Sequence, residues 1–398
     1  MSASEPVVPP ATIGMLGGGQ LGKYAVIAAN AMGYRSIVVD PSPDAPAGVV
    51  ANRHLVAAYD DAEALARLAA ECDAVTTEFE NAPASAMAQL AETTLVAPGA
   101  AAVAIAQDRI AEKTFLADQQ IAVGAFAPLR ANDGADALAR AESLAEHGAV
   151  VKTARLGYDG KGQIRIARPD ELAAAWDELG RADCVVESLL ELRTELSVLV
   201  GRTHDGASVT WPVAENVHAD GILDVSIVPA RVGAPLTEAA DVLARRVADA
   251  LDYVGVLAVE MFVVADDRPD SGDASRLLVN EIAPRPHNSG HWTLDACVTS
   301  QFEQQIRAVC GVGLGSTALT SPAVAMVNLL GDLWFAEGSD TAREPDWALV
   351  FDEPDASLHL YGKHDARRGR KMGHLTVLAD TPTAAAERAL ELRAQLAK

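Results

Sequence analysis

Short apolar runs alternate along the first hundred residues with longer stretches whose apolar positions recur every three or four residues. Thr12 to Leu16 reads as a strand that runs into Gly17-Gly18-Gly19, with helical periodicity from Gln20 to Met32. Ser36 to Val39 is a second strand by the same pattern. A helix near Ala62 to Glu71, a strand at Ala74 to Thr77 and a helix near Pro83 to Glu92 follow. Strand alternating with helix predicts a parallel, doubly wound α/β sheet.

The pattern changes around Pro98 to Asp108, where Asp108 is suited to cap a helix from Arg109 to Asp118. Beyond it, short strands dominate: Val150 to Thr153, Gln163 to Ile166, Cys184 to Glu187, Glu195 to Val200, Ser208 to Pro212 and Leu257 to Val264. Helices near Pro169 to Leu179 and Thr237 to Leu251 interrupt them, an order that predicts α+β architecture with antiparallel sheets. The polar stretch Asp266 to Ser275 reads as a hairpin turn. Its second strand ends at Asn280-Glu281, which puts Glu260 and Glu281 on neighbouring strands. After about Gly311, strands near Ala323 to Leu330, Ser357 to Leu360 and His374 to Leu378 precede an Ala-rich helix. The expected division is residues 1–108, 109–311 and 312–398.

Composition narrows the function. The chain has 398 residues, 49% hydrophobic and 22% charged, enough for two or three domains with cores of their own. A formal net charge of -23 repels polyanions, so nucleic acid is not an expected partner. Cys72, Cys184, Cys297 and Cys310 are scattered without a CxxC pair, which fits a reducing cytoplasm. Neither a leader pattern nor a run of eighteen apolar residues occurs, so no membrane association is expected.

Several clusters offer chemistry. Gly17, Gly19 and Gly22 satisfy GxGxxG, and Asp40 ends the next strand where a ribose-binding acid belongs; equally, such glycines serve a tight turn and close helix packing. The segment Gly157 to Gln163, GYDGKGQ, can bend its backbone over phosphates, with Lys161 in it and Lys152 just before it as cations. A glycine-rich turn with solvated lysines is the plainer alternative. Glu187 ends a strand before Ser188-Leu189-Leu190, a hinge suited to reading an adenine edge, and Glu195 is placed to accept ribose hydroxyls. Glu260 interrupts the apolar run LAVEMFVV, where an unpaired charge is costly. With Glu281 it offers the hard oxygens that Mg²⁺ prefers. Asn280 to His291, NEIAPRPHNSGH, holds Arg285 and His287 on a proline-stiffened loop: an arginine suited to an oxyanion, a histidine able to orient a group or shuttle a proton. Lys363, His364, Arg367, Arg368, Arg370 and Lys371 form the strongly basic run of an acidic protein.

Taken in order, Arg109, Lys152, GYDGKGQ, Glu187, Glu195, Glu260, Asn280-Glu281 and RPHNSGH resemble the ATP-grasp ligases of purine biosynthesis. Within them, GGGQLG, TEFEN at Thr77 to Asn81, GYDGKGQ and NEIAPRPHNSGH look most like the biotin-independent 5-(carboxyamino)imidazole ribonucleotide synthase family. The resemblance implies an ATP-grasp fold with an N-terminal Rossmann-like (preATP-grasp) domain and a small C-terminal β-rich domain. It implies that bicarbonate is phosphorylated by ATP to carboxyphosphate, whose carbon is captured by the amine of 5-aminoimidazole ribonucleotide with release of ADP and phosphate. Carried over by position, the nucleotide contacts are Arg109, Lys152, Gly157, Tyr158, Asp159, Gly160, Lys161, Gly162, Gln163, Glu187, Ser188, Leu189, Leu190, Glu195, His218, Asn280 and Glu281. Glu260 and Glu281 take Mg²⁺ (or Mn²⁺). Gln20, Leu21, Glu78, Asn288, Lys363 and Arg370 face the ribonucleotide, and Tyr158, Arg285, His287 and Lys363 surround carboxyphosphate and the amine. A homodimer is implied as well. One departure bears on the metal: many ATP-grasp enzymes carry an asparagine two residues after the last glutamate, where this chain has Ala283. The competing readings are a formate-dependent glycinamide ribonucleotide transformylase-type ligase and, from another class, an NAD-dependent oxidoreductase built on GGGQLG and Asp40.

Overall fold

The computed structural model describes residues 5–157, 161–265, 275–336 and 338–397. The predicted turn between Glu260 and Glu281 falls outside the described residues except for Ser275.

The N-terminal part is a five-stranded parallel sheet in the order Arg53–Val56, Arg35–Asp40, Thr12–Leu16, Ala74–Thr77, Leu95–Val96. Its three inner strands are almost wholly buried because helices cover the sheet, as parallel sheets require. The chain order reverses direction between the central strand Thr12–Leu16 and Ala74–Thr77. The loops at their carboxyl ends therefore diverge around a crevice, the usual ligand position in such sheets.

Two antiparallel sheets follow. A four-stranded sheet runs Phe126–Leu129, Cys184–Ser188, Ala149–Thr153, Gln163–Ile166. A nine-stranded sheet runs Ser275–Ala283, Gly255–Ala265, Leu192–Arg202, Ala214–Ala219, Ile222–Val228, Ala323–Leu330, Lys371–Ala379, Ala356–Leu360, with Ser208–Thr210 paired to Leu192–Arg202. The last three strands of that order extend the central sheet through the pairing of Ile222–Val228 with Ala323–Leu330. The helix Ala234–Ala250 lays Ala240, Ala244, Val247 and Ala248, a stripe at helical spacing, against the central strands. At the other end, Phe302 of the helix Gln301–Val309 packs on Leu21 and Tyr24 of the helix Gln20–Ala31, joining the parallel sheet to the rest. Among the described residues no helix is long and apolar enough to cross a membrane. All four cysteines are free thiols.

Candidate active site

A cleft of about 1010 Å³ lies between the loops of the parallel sheet and the two antiparallel sheets. Its N-terminal wall is built on the glycine loop. Gly17 has φ +104, and a Cβ there would sit 2.7 Å from Cγ of Glu78. The glycines admit two carboxylates: Glu78 accepts the Gly19 and Gly22 amides at 2.8 and 3.0 Å, and Asp40 accepts the Gly18 amide at 2.8 Å. Asp40 also accepts the Ser42 amide and the Tyr59 hydroxyl, each at 2.8 Å, and is buried. Its oxygens are thus committed to holding the loop, the opposite of what a dinucleotide ribose requires, and the oxidoreductase reading loses its acid. Glu78 stands behind the cleft surface, while Gln20, Leu21, Phe79, Glu80 and Asn81 form it.

The helix Arg109–Asp118 starts at Asp108, whose side chain accepts the Ile110 and Ala111 amides at 3.0 and 3.2 Å. Its inner face reaches three parts of the cleft. Arg109 donates to Glu281; Glu112 accepts the Ile282 amide at 2.6 Å; Lys113 pairs with Glu187 at 3.2 Å. Glu187 also pairs with Lys152 at 3.2 Å, so its two oxygens are taken by lysines and its side chain stands behind the cleft wall rather than in it, where the sequence placed a nucleotide contact. Burial raises the Glu187 carboxyl, but the two lysines outweigh it and hold it below the usual carboxylate range.

Glu260 and Glu281 are direct cross-strand partners. They titrate apart: burial and the charge of Glu281 push Glu260 up to about 7, whereas Glu281, against the effect of its own desolvation, is held at about 2 by Arg109 with help from Lys152. Two opposed carboxylates, Glu260 buried and Glu281 partly exposed to the cleft, repel, and a divalent cation relieves that repulsion, so the donor set fits Mg²⁺. His287 Nδ1 accepts the Ser289 amide at 3.3 Å, so its proton resides on Nε2, 3.1 Å from Glu260. Burial and then Arg285 depress His287 well below its ordinary value, so the ring is neutral. Gln301 grips the same residue by its backbone, accepting from its amide at 2.8 Å and donating to its carbonyl at 2.7 Å. Arg285, two residues beyond the strand Ser275–Ala283, is ion-paired with Glu80 of TEFEN.

Glu195 contacts His218 at 3.0 Å from an adjoining strand, and both line the cleft. Burial alone would lower His218, yet Glu195 outweighs it and raises the ring. Gly157, Lys161, Gln163 and Asn280 also belong to the wall. Tyr158, Asp159 and Gly160 lie outside the described residues, and Gly162, with φ +71, accepts the Thr153 amide through its carbonyl at 2.8 Å. In the hinge, the amides of Ser188 and Leu189 are committed to the carbonyls of Ala125 and Gly148, and neither these residues nor Leu190 form the wall. Asn288 exchanges amide hydrogen bonds with Asn328 at 3.0 and 2.8 Å. Of the basic run, Lys371 lines the cleft. Lys363 donates to the Lys371 carbonyl at 2.7 Å and Arg370 to the Asp365 carbonyl at 2.8 Å, both outside the wall. Sequence reasoning missed Glu112, Lys113 and Asn328, and singled out Glu80 and Lys371 only as members of TEFEN and of the basic run. Glu112 and Lys113 carried a signal, two charges at the second turn of a helix that begins with a candidate ligand.

The ATP-grasp domain family matches residues 114–302, the ribonucleotide synthetase preATP-grasp domain family residues 10–107, and the phosphoribosylaminoimidazole carboxylase C-terminal domain family residues 324–388. The chain is 47% identical over 370 residues to the N5-carboxyaminoimidazole ribonucleotide synthase of Brucella melitensis, covering 92% of this chain and 96% of that one. It belongs to the N5-carboxyaminoimidazole ribonucleotide synthases. Membership makes it an ATP-dependent carbon–nitrogen ligase with the ATP-grasp fold. Solved synthases superpose along nearly its whole length. An ADP complex of an N5-carboxyaminoimidazole ribonucleotide synthetase gives a TM-score of 0.87 at 38% identity, covering 98% of both chains. The N5-carboxyaminoimidazole synthase of Aspergillus clavatus in complex with ADP and 5-aminoimidazole ribonucleotide gives 0.84 at 29%, covering 97% of this chain and 98% of that one.

Proposed function

We propose that the cleft carboxylates 5-aminoimidazole ribonucleotide to its N5-carboxyamino product, using ATP and bicarbonate. The observation that carries this reading is one cleft walled both by the TEFEN and glycine loops of the parallel sheet and by the Glu260–Glu281 pair. It brings a nucleotide end and a ribonucleotide end together. A bicarbonate oxygen takes the γ-phosphoryl group and ADP leaves. The amine nitrogen then bonds the carbon, directly or after release of CO₂; the carbon–oxygen bond to phosphate breaks and the amine gives up a proton.

Glu260 and Glu281 would hold Mg²⁺ or Mn²⁺, which supplies charge neutralisation to the phosphates when bound. Lys152 and Lys161 bind the polyphosphate, and Arg109 orients Glu281. Neutral His287 orients Glu260 through Nε2. Arg285 takes the bicarbonate oxyanion at the boundary between the two ends, where Glu80 now holds it. The GYDGKGQ segment, whose Gly157, Lys161 and Gln163 belong to the wall, excludes water from carboxyphosphate. Gln20, Leu21 and Asn288 meet the ribonucleotide, and Lys371 joins Lys363 and Arg370 as a cation for its phosphate. The division at 1–108, 109–311 and 312–398, the homodimer and a cytoplasmic site of action belong to the same proposal.

Omitting each substrate in turn while following ADP tests it. ADP release should require both bicarbonate and 5-aminoimidazole ribonucleotide; release driven by formate and glycinamide ribonucleotide would sink it.

A further inference from the structure

The charges behind the nucleotide end of the cleft are arranged in a row. Lys152 is in the cleft wall; Glu187 lies behind it on the strand Cys184–Ser188; Lys113 lies behind Glu187 on the helix Arg109–Asp118 and is buried. The two oxygens of Glu187 divide between the lysines. Oε1 is 3.2 Å from Nζ of Lys152 and Oε2 is 3.2 Å from Nζ of Lys113. Strand pairing sets this placement: Glu187 stands opposite Val150, so its side chain shares a face with Lys152 two residues on.

One carboxylate between two ammonium groups at equal distance leaves a surplus of one positive charge. Because Lys113 is sealed from the cleft, that surplus emerges at Lys152. Were Lys113 neutral, Lys152 and Glu187 would form a balanced pair, and an incoming phosphate would compete with Glu187 for the ammonium group. A buried lysine gains nothing from water and is costly to place, so its charge needs a purpose that an apolar side chain of similar length could not serve.

We propose that Lys113 is a positioning residue for the nucleotide: it neutralises Glu187 from behind and thereby leaves the charge of Lys152 available to the polyphosphate. The proposal rests on the reading of Lys152 as a phosphate contact. The same helix supports it, since Arg109 and Glu112 reach Glu281 and the Ile282 amide, so one element aligns the metal acid and the phosphate cation together.

Steady-state ADP formation with four variants tests the idea. Lys113→Met should raise KM for ATP about tenfold or more while KM for 5-aminoimidazole ribonucleotide stays within about twofold. Lys113→Met combined with Glu187→Gln should return KM for ATP to within about threefold of wild type, because Lys152 again has no competing carboxylate. An unchanged KM for ATP in Lys113→Met, or a double variant no better than the single one, overturns the proposal. Lys152→Met reports separately on the underlying reading: if it leaves KM for ATP unaltered, Lys152 is not a phosphate contact. Lys113→Arg, which keeps the charge, should restore KM for ATP at least in part. Should Lys113→Met fail to fold, the double variant decides, because it buries no unpaired charge. A KM for ATP within about threefold of wild type then supports the proposal, and a rise of tenfold or more overturns it.

Discussion

Glu260 and Glu281 have the same side chain, face each other across two strands and titrate in opposite directions, because Arg109 reaches one of them and not the other. Arg109 thus favours the charged form of Glu281, which makes it the firmer donor of the two to the proposed metal. Glu281→Gln should lower turnover by about 100-fold or more and shift its magnesium dependence to higher concentration, measured as ADP release across a magnesium series. At Gly17 the constraint is steric. Its φ of +104 and the 2.7 Å approach of Glu78 leave no room for a methyl group. Gly17→Ala should cost about 2 kcal/mol of stability, read by chemical denaturation, and raise KM for the ribonucleotide as Gln20 and Leu21 move with the loop.

Among the elements, the helix Arg109–Asp118 does most to organise the cleft, and Asp108 starts it. Asp108→Ala removes two amide contacts and the pair with Arg155 at 3.1 Å, and should cost about 1 kcal/mol, seen as a lower midpoint in urea. That helix and its cap were legible from the sequence, as was the strand–helix alternation before it, because each has a strong period and a boundary residue. The strands Ala214–Ala219 and Ile222–Val228 were not predicted. Their faces mix polar and apolar residues, and pairing within the nine-stranded sheet decides what they bury. The turn between them did carry a signal, Asp220-Gly221, both at positive φ. The helix Gln301–Val309 was missed because its buried side includes Gln301, Gln304 and Gln305, whose amides are satisfied by distant backbone and side-chain partners.

At the scale of the molecule, a stack of imidazoles joins the N-terminal helix to the C-terminal strands. His374 lies between His291, 4.6 Å away at 4°, and His359, 4.5 Å away at 14°, with Tyr24, Tyr361 and Phe302 around them. Asp295, His359 and His374 bring donors within 4.8 Å of one another, yet rings this nearly parallel cannot both aim a lone pair at one ion, so the stack is packing. Burial depresses His291 and His374 well below their ordinary value, reinforced by His359 for both and by Lys371 and Arg285 for His291. These rings stay neutral in the fold while the unfolded chain takes up protons. Stability contributed above about pH 6.5 is therefore lost as pH falls, by at most about 1.4 kcal/mol per pH unit for each ring. Urea midpoints from pH 8 to pH 5 should fall in this sense, and His374→Phe should flatten the profile.

By itself the sequence determined the order of most elements, the glycine loop, the capped helix, the Glu260–Glu281 hairpin and the family, since periodicity, caps and motifs are properties of neighbours along the chain. Which donors reach the cleft was decided by tertiary structure alone. Glu78 and Asp40 turned out to hold the glycine loop, Lys371 rather than Lys363 or Arg370 lines the cleft, and Lys113 and Glu80 acquired partners far along the chain. Glu112 and Ile282 meet across a separation of 170 residues. Contacts at that distance depend on how whole sheets and helices pack, and no local pattern encodes them.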